Sequence, residues 1–274
     1  MENNYADEVS QDAIPAGEWL PRRANAYQAY GESMPLRRAQ RASGPDLQLY
    51  RRLSYGKLAG FNVLDTRQYR SDQACDDGSD VVPCGNWDDP TRSLTGDAQE
   101  QWLIDGLRRS RYEWNIIPQQ VFFAERDSLV GEGKRLSMDS WDGYAHNRQR
   151  IIDGIVEHEV GNVIVLTGDV HRHYAADIKA NFGDPDSRII GSELVCTSIT
   201  SGGDGNDDTQ EALKAESPHV KYSRNRRGYI RTTVTRDALK AEFLTLPFVT
   251  LPDAPIAVDA SFTVESGVPG LQPT

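Results

Sequence analysis

The sequence predicts an α/β fold, because strand-like and helix-like segments alternate along it. The run Val163–Leu166 is short, apolar and β-branched, which is typical of a strand buried on both faces. Just before it, residues 146–158 place Ile151 and Ile155 on one face of an amphipathic helix. Gly161 ends that helix and leads the chain into the strand.

Local patterns predict the other elements in order. Pro21 fits the first turn of a helix that runs to about Tyr30. Thr95 is a candidate N-cap for a second helix over Asp97–Arg109. Strands are predicted over Leu47–Tyr55, Phe61–Leu64, Trp114–Ile117, Val121–Ala124, Glu193–Ile199, Tyr229–Val234 and Lys240–Leu246.

Length and composition are those of an ordinary globular domain. Charged residues make up 26% and hydrophobic residues 38% of 274 residues, and no run is long enough to span a membrane. We expect one domain over 1–274, in which the Pro-rich segment 247–274 is an extended tail with one β-like patch at 260–264. The net charge of −11 argues against a nucleic-acid partner. It does not exclude a phosphoester substrate, which a few arginines or metal ions can bind.

The three cysteines divide into a pair and a single residue. Cys75 and Cys84 bracket a polar loop and could close a disulfide, although two unpaired surface thiols are the alternative. Cys196 lies in an apolar run and is expected to be a buried thiol. We expect no targeting segment in this chain, because residues 1–9 lack the basic and apolar regions of a signal peptide.

The strongest candidate for chemistry is the turn that follows the strand at 163–166. Asp169 and His171 come directly after Thr167 and Gly168, where open α/β sheets place their ligands. A carboxylate beside an imidazole suits a metal site of iron, zinc or manganese character. The alternative is an ordinary polar turn after a strand.

A second candidate lies at the end of the strand predicted over 61–64. Arg67 could reach a bound oxyanion there through two parallel hydrogen bonds. The alternative is an Asp65–Arg67 pair that only holds the loop. The long polar loop at 71–96 is expected at the rim of the site. The spacing of Asp, Asn and Asp over 204–208 fails the EF-hand pattern, so we interpret it as a mobile loop.

Five segments of the sequence together resemble the alkaline phosphatase D (PhoD-like) metallophosphatase family. They are Leu-Thr-Gly-Asp-Val-His at 166–171, Leu-Asp-Thr-Arg-Gln-Tyr-Arg at 64–70, Gln-Gln-Val at 119–121, Trp-Asp-Gly-Tyr at 141–144 and Arg-Gly-Tyr-Ile-Arg at 227–231. The resemblance implies a metallophosphatase-type β-sandwich flanked by helices. It also implies an exported phosphomonoesterase or phosphodiesterase that uses iron and calcium, with some members acting on phospholipids as phospholipase D.

The resemblance assigns roles to some residues and not to others. Asp169 and His171 match the last metal-binding motif of the family, and His171 is expected at the reacting centre. Arg67 is expected near the phosphate as a catalytic residue. His173 has no counterpart in the family pattern and is expected only to neighbour the site.

The resemblance also implies that the chain is the C-terminal portion of the catalytic domain, truncated at its N-terminus. In the family, Glu-Asn-Asn-Tyr-Ala follows a metal-binding Trp-Asp-Asp-His-Glu motif, and here Met1 stands where that motif would end. Only Asp169, His171 and one of Asn3 or Asn4 remain as ligands, so we expect a poor catalyst. The alternative function is that of a non-catalytic remnant that binds metal or phosphate. An exposed sheet edge would favour a homodimer. A serine hydrolase is disfavoured, because the sequence has no Gly-x-Ser-x-Gly elbow.

A disulfide between Cys75 and Cys84 should leave one titratable thiol, that of Cys196, in denatured and non-reduced protein. Closing a loop of this size contributes roughly 2–3 kcal/mol in the chain-entropy model. Thiol titration checks the pairing, and three reactive thiols would exclude it.

Overall fold

The computed structural model describes residues 3–274, which contain four α-helices and eleven strands. The helices are α1 (Ala16–Ser33), α2 (Gly96–Arg108), α3 (Ala145–Glu157) and α4 (Glu211–Glu216). The strands are β1 (Arg51–Tyr55), β2 (Ala59–Val63), β3 (Trp114–Pro118), β4 (Val163–Thr167), β5 (His173–Lys179), β6 (Ile189–Val195), β7 (Val220–Arg224), β8 (Arg227–Val234), β9 (Ala238–Leu246), β10 (Ala257–Glu265) and β11 (Val268–Pro273).

Seven of the strands form one mixed sheet, in the order β1-β2-β3-β4-β6-β5-β7. The central strands β2, β3, β4 and β6 run parallel to one another, whereas β1, β5 and β7 pair antiparallel. The carboxyl ends of four neighbouring strands therefore lie at one edge of the sheet. This confirms the predicted α/β class.

The two faces of this sheet are covered differently. On one face, Val163 and Val165 of β4 pack against α2 and α3 through residues such as Leu103 and Ile155. On the other face, Ile164 packs against a second, antiparallel sheet in the order β11-β10-β9-β8. The alternation along β4 follows from the two-residue period of a strand. The result is a layer of helices, a mixed sheet and a second sheet.

The second sheet changes the prediction for the C-terminal segment. The predicted hairpin is present as β8 and β9, but 247–274 is not only an extended tail. Its strands β10 and β11 extend the sheet from β9, and Phe262 is only 6% exposed. The β-like patch at 260–264 lies within β10, but the sequence did not indicate the full extent of the two strands, which are exposed over part of their length.

Three other predicted elements differ from the structure. Helix α1 begins five residues before Pro21, and its buried face is formed by Trp19, Arg23 and Tyr27 at helical spacing. Residues 121–124 are not a strand, because the backbone N–H groups of Phe123 and Ala124 donate to the carboxylate of Glu193, each at 2.8 Å.

The strand predicted at 193–199 lies at Ile189–Val195 instead. It ends at Val195 because its backbone pairs with β4 on one side and β5 on the other only as far as that residue. Gly191 fits this position closely, since a Cβ there would lie 2.8 Å from the carbonyl oxygen of Val163.

The loop at 204–208 is held by its carboxylates, contrary to the expectation of a mobile loop. Asp204 accepts hydrogen bonds from the backbone of Val249 and Thr250 at 2.7 and 2.9 Å. Asp207 forms an ion pair with Arg226 at 2.7 Å. The acidic pattern that invited a calcium interpretation therefore joins this loop to the connection between β7 and β8 and to the segment after β9.

The three cysteines are placed as follows. Cys75 and Cys84 form a disulfide, with their Cα atoms 5.8 Å apart. Cys196 carries a free, partly buried thiol, and burial raises its pKa. Residues 3–274 include no helix with the length and apolar character that crossing a membrane requires.

If 247–274 is an integral part of the fold, Phe262→Ala should lower the free energy of unfolding by about 3–5 kcal/mol, the usual cost of emptying a buried phenylalanine site. Val258→Ala on the same strand is the matched control, because Val258 is 46% exposed. Urea unfolding of both variants measures the difference. Equal, small effects would show that β10 contributes little to the core.

Candidate functional site

The loops after β2, β3 and β4 are joined by hydrogen bonds at the carboxyl edge of the large sheet. Gln120, which follows β3, donates to the carbonyl oxygen of Leu64 at 3.0 Å. Its side-chain oxygen accepts from both the backbone and the hydroxyl of Thr66, at 2.9 and 2.7 Å. Its backbone carbonyl accepts from Gly168 at 3.2 Å. Gln120 therefore positions the Asp65–Arg67 loop relative to the turn that carries Asp169.

A buried series of hydrogen-bonded side chains lies next to these loops. Thr167, the last residue of β4, donates its hydroxyl to Glu193 at 2.6 Å and accepts from the side chain of Gln119 at 2.6 Å. Trp141 donates its indole N–H to Gln119 at 3.1 Å. Burial raises the pKa of Glu193 to about 7. Trp141 is fully buried and is therefore a core residue.

The turn after β4 has an unusual backbone. Both Asp169 and His171 have positive φ values, 71° and 51°, in the left-handed region that non-glycine residues rarely adopt. Both residues are exposed in part, and the Asp169 side chain retains 31% of its accessible area. Burial and the neighbouring carboxylate of Asp139 raise the pKa of Asp169. Surrounding contacts must hold this strained turn in place.

Arg227 provides the main contact of that kind. Its guanidinium donates to the backbone carbonyl of His171, to the hydroxyl of Thr197 at 3.1 Å and to the carbonyl of Gly203 at 2.9 Å. It thereby joins the turn after β4 to the segments that follow β6. Next to it, the side chain of Arg172 forms an ion pair with Asp208.

Arg67 lies across the site from this turn. Its guanidinium makes two parallel hydrogen bonds to the carboxylate of Asp139, at 2.9 and 3.2 Å. The same guanidinium lies 3.7 Å from a carboxylate oxygen of Asp169. Arg67 and Asp169, which are separated by about a hundred residues in sequence, therefore face the same space.

Asp139 also binds a second arginine. Arg70 is fully buried, and its guanidinium donates to Asp139 at 2.7 Å. Burial alone would raise the pKa of Asp139, but the two guanidinium groups outweigh it and hold that pKa below its ordinary value. Arg70 also donates to the carbonyl groups of Asn4 and Tyr5, at 2.8 and 3.2 Å. The beginning of the described chain is therefore fastened to the site.

The disulfide loop reaches the same region. The side chain of Asn4 donates to Asp77 at 2.7 Å, and the other carboxylate oxygen of Asp77 is buried without a hydrogen-bond partner within residues 3–274. Burial raises the pKa of Asp77. Part of the 71–96 loop thus lies beside the site, as its length suggested.

Comparison with known proteins identifies the family. The family model described as PhoD-like phosphatase matches residues 1–243. The chain belongs to the PhoD-like phosphatase family. It is 46% identical over 275 residues to alkaline phosphatase D of Bacillus subtilis (strain 168), an alignment that covers 99% of this chain and 47% of that protein. It also matches a solved structure described as "Structure of PhoD", with a TM-score of 0.95 and 45% identity, over 100% of this chain and 52% of that one. The chain thus spans about half the length of the curated relative it matches.

In this PhoD-like chain, Asp169 and His171 are the two residues whose donor types fit a metal ion of iron, zinc or manganese character. Nowhere in residues 3–274, this turn included, is a group of three or more His, Cys, Asp or Glu side chains placed to hold a metal ion. Two donors are fewer than the three protein ligands that catalytic zinc sites use, for example. Within residues 3–274, the turn after β4 thus offers two donors of the types that bind metal ions.

His173 lies outside the site of this family member. It is fully buried in β5, where its ring accepts a hydrogen bond from the backbone N–H of Thr197 at 3.3 Å and lies 3.4 Å from the carbonyl oxygen of Leu244. Burial lowers the pKa of His173 to about 4, so its ring is neutral at physiological pH. It also packs edge-on against Phe243. His173 is a core residue that joins the two sheets.

Three contacting residues were not assigned a role from the sequence. Arg70 and Arg227 lie inside motifs of the family resemblance, so the motifs were a signal for them. Asp139 lies in no such motif. It is 72 residues from Arg67 in sequence, and the two residues come into contact only through the fold. No pattern of spacing in the sequence marks that pair.

Asp139→Asn should lower the free energy of unfolding at pH 7 by about 3–5 kcal/mol, since it leaves the buried charge of Arg70 without a carboxylate. The difference from the parent should shrink as pH falls. A carboxyl whose pKa is lower in the folded state contributes its full stabilisation at pH values above its unfolded-state pKa of 3.8. That contribution is lost as the pH falls through the lower folded-state pKa.

Urea unfolding at pH 7 and at about pH 3 measures this effect. Asp105→Asn is the control, because Asp105 forms an ion pair on the surface of α2 that contributes about 0–1 kcal/mol. A difference between parent and Asp139→Asn that is constant with pH would show that the charge of Asp139 is not what stabilises the site.

Proposed function

We propose that this chain carries part of the active site of a metal-dependent phosphoesterase of the alkaline phosphatase D type. The observation that carries the proposal is the position of Arg67, whose guanidinium lies 3.7 Å from Asp169 at the carboxyl edge of the parallel strands. A cation that can bind phosphate thus lies beside a carboxylate that can bind metal. Membership of the PhoD-like phosphatase family supports the same reaction class.

Asp169 and His171 are the residues that would hold a metal ion, and by family resemblance the metals are iron and calcium. A bound metal ion of this kind lowers the pKa of a coordinated water and withdraws charge from phosphate oxygens. The left-handed turn presents both side chains on the same short loop, and Arg227 fixes the backbone of that loop from below. This explains why a strained conformation is maintained there.

Arg67 is proposed to bind the phosphoryl group. Its planar guanidinium suits two oxygens of a phosphate at once. Asp139 orients that guanidinium towards the space near Asp169, and Arg70 holds Asp139 in turn. In the reaction, an oxygen from water forms a bond to phosphorus, the ester P–O bond breaks, and the leaving alcohol takes up a proton.

Phosphate monoesters and diesters of small molecules are the proposed substrates, and phospholipids are an extension of the same class. The proposed setting is extracytoplasmic, where the disulfide between Cys75 and Cys84 would persist. A homodimer through the edge strand β1 is also proposed. Tyr55 on that strand is 72% exposed, and one side of the strand has no neighbour in the sheet described for residues 3–274.

The second candidate function is a fragment that binds metal or phosphate without turnover. It is favoured by the ligand count, because only Asp169 and His171 offer metal donors on the same turn in the described chain. The two functions differ in one measurable property. Both bind metal through Asp169, but only the first one hydrolyses an ester.

For the enzymatic proposal, Arg67→Ala should lower kcat/KM for a chromogenic phosphodiester by roughly 100-fold or more, the usual cost of removing one donor from a developing oxyanion. Asp169→Asn should abolish turnover and weaken iron binding. The assay uses residues 1–274 with added iron and calcium at alkaline pH, beside a chromogenic phosphomonoester.

Arg231→Ala is the matched control, since Arg231 is an exposed arginine on β8 that pairs with Glu242 on the neighbouring strand β9. Unchanged turnover in Arg67→Ala would remove Arg67 from the phosphate site. Iron that binds through Asp169 without any turnover would favour the non-catalytic function.

A further inference from the structure

A second polar cavity lies between the segment 126–137 and the start of α4. Its volume is about 250 Å³, and none of the residues that line it belongs to the site of Arg67 and Asp169. Two guanidinium groups, those of Arg126 and Arg135, contribute to its lining, whereas Asp80 is its one acidic side chain. In a chain with a net charge of −11, such a local excess of positive charge calls for an explanation.

Most N–H donors of the Arg126 side chain have no acceptor among residues 3–274. Its guanidinium lies over the rings of Phe122 and Tyr174, at 5.5 and 5.8 Å from their centroids. Of its five N–H donors, one bonds to the Tyr174 hydroxyl at 3.2 Å, and no other side-chain hydrogen bond or ion pair of Arg126 is formed with residues 3–274. The nearby carboxylate of Asp142 is already bound to Arg148 at 2.6 Å and accepts only the backbone N–H of Arg126.

Arg135 is also incompletely paired. Its Nε–H is buried and has no hydrogen-bond partner in the described part of the chain. Its nearest carboxylate oxygen, on Asp80, is 3.8 Å away from a terminal nitrogen, and the other oxygen of Asp80 accepts from Ser128. A buried donor without an acceptor costs about 1–3 kcal/mol. An anion in the cavity would recover that cost.

The remaining lining is also rich in donors. The hydroxyl of Ser137 makes no hydrogen bond within 3–274, and the same is true of the side-chain N–H₂ group of Gln210. The oxygen of that Gln210 amide is occupied by the hydroxyl of Tyr174 at 2.6 Å, which leaves the N–H₂ group to face other partners. The cavity is thus lined by several hydrogen-bond donors that have no acceptor in the described chain, and by one carboxylate, that of Asp80.

We propose that this cavity binds a phosphate-type oxyanion between Arg126 and Arg135. Guanidinium groups match the spacing of phosphate oxygens, and Arg126 is preorganised by the two aromatic rings beneath it. The ligand is either free phosphate or the phosphoryl group of a small phosphorylated molecule. The proposal stands apart from the phosphoesterase proposal, because the two sites share no residue.

Titration calorimetry of residues 1–274 with inorganic phosphate tests the proposal, in chelator and at constant ionic strength. Arg135→Gln should weaken phosphate binding about tenfold or more, which is the usual effect of losing a hydrogen bond to a charged group. Arg126→Met should do the same while it keeps the contact with the rings. Arg231→Gln, the surface control, should bind phosphate like the parent.

Arg135 is 43% exposed, so its variant should fold even if Arg126→Met does not. Phosphate affinity that is unchanged in Arg135→Gln overturns the proposal, as does a parent that binds no phosphate. Binding that is lost in Arg67→Ala and retained in Arg135→Gln would assign the phosphate to the other site and also overturn the proposal. Glycerol phosphate separates the two sources of the ligand: tighter binding than phosphate supports a phosphorylated molecule, and weaker binding supports the free ion.

Discussion

The structure depends on the burial of four parallel strands on both faces. Strands β2, β3, β4 and β6 lie between helices on one side and a second sheet on the other. Few polar side chains can be carried within such strands, so most are displaced to the strand ends. Because parallel strands end at the same edge, Arg67 and Asp169 meet there although they are distant in sequence. The second sheet thus contributes to the site indirectly. It buries one face of these strands, and that face must therefore be apolar.

A network of charges then gives the edge its shape. Asp139 holds Arg67 and Arg70 together, and Arg70 fastens the segment around Asn4 to the same place. Arg227 donates to the backbone carbonyl of His171 and so holds the turn after β4. Each of these arginines would be costly to bury alone, but each is compensated by a carboxylate or by carbonyl groups. These contacts orient the side chains of the site, and the proposed binding of metal and phosphate needs such an arrangement.

Local patterns were sufficient for much of this arrangement. The strand at 163–167, the helix before it and the β8–β9 hairpin follow from periodicity that is visible within a dozen residues. The pairing of Asp139 with Arg67 could not be predicted in that way, because it depends on where two distant loops meet. The same holds for residues 121–124, whose β-like composition was overridden by Glu193. The full extent of strand β10 could not be predicted, because pairing with β9, rather than its own hydrophobicity, sets its conformation.

The central claim is that Asp169, His171 and Arg67 form one site for metal and phosphate. Anomalous diffraction at the iron absorption edge, from crystals of this chain grown with iron and phosphate, tests it most directly. The account predicts an iron peak bonded to the side chains of Asp169 and His171, with phosphate oxygens within hydrogen-bonding distance of the Arg67 guanidinium. An iron peak elsewhere, or a phosphate that leaves Arg67 bound only to Asp139, would contradict it.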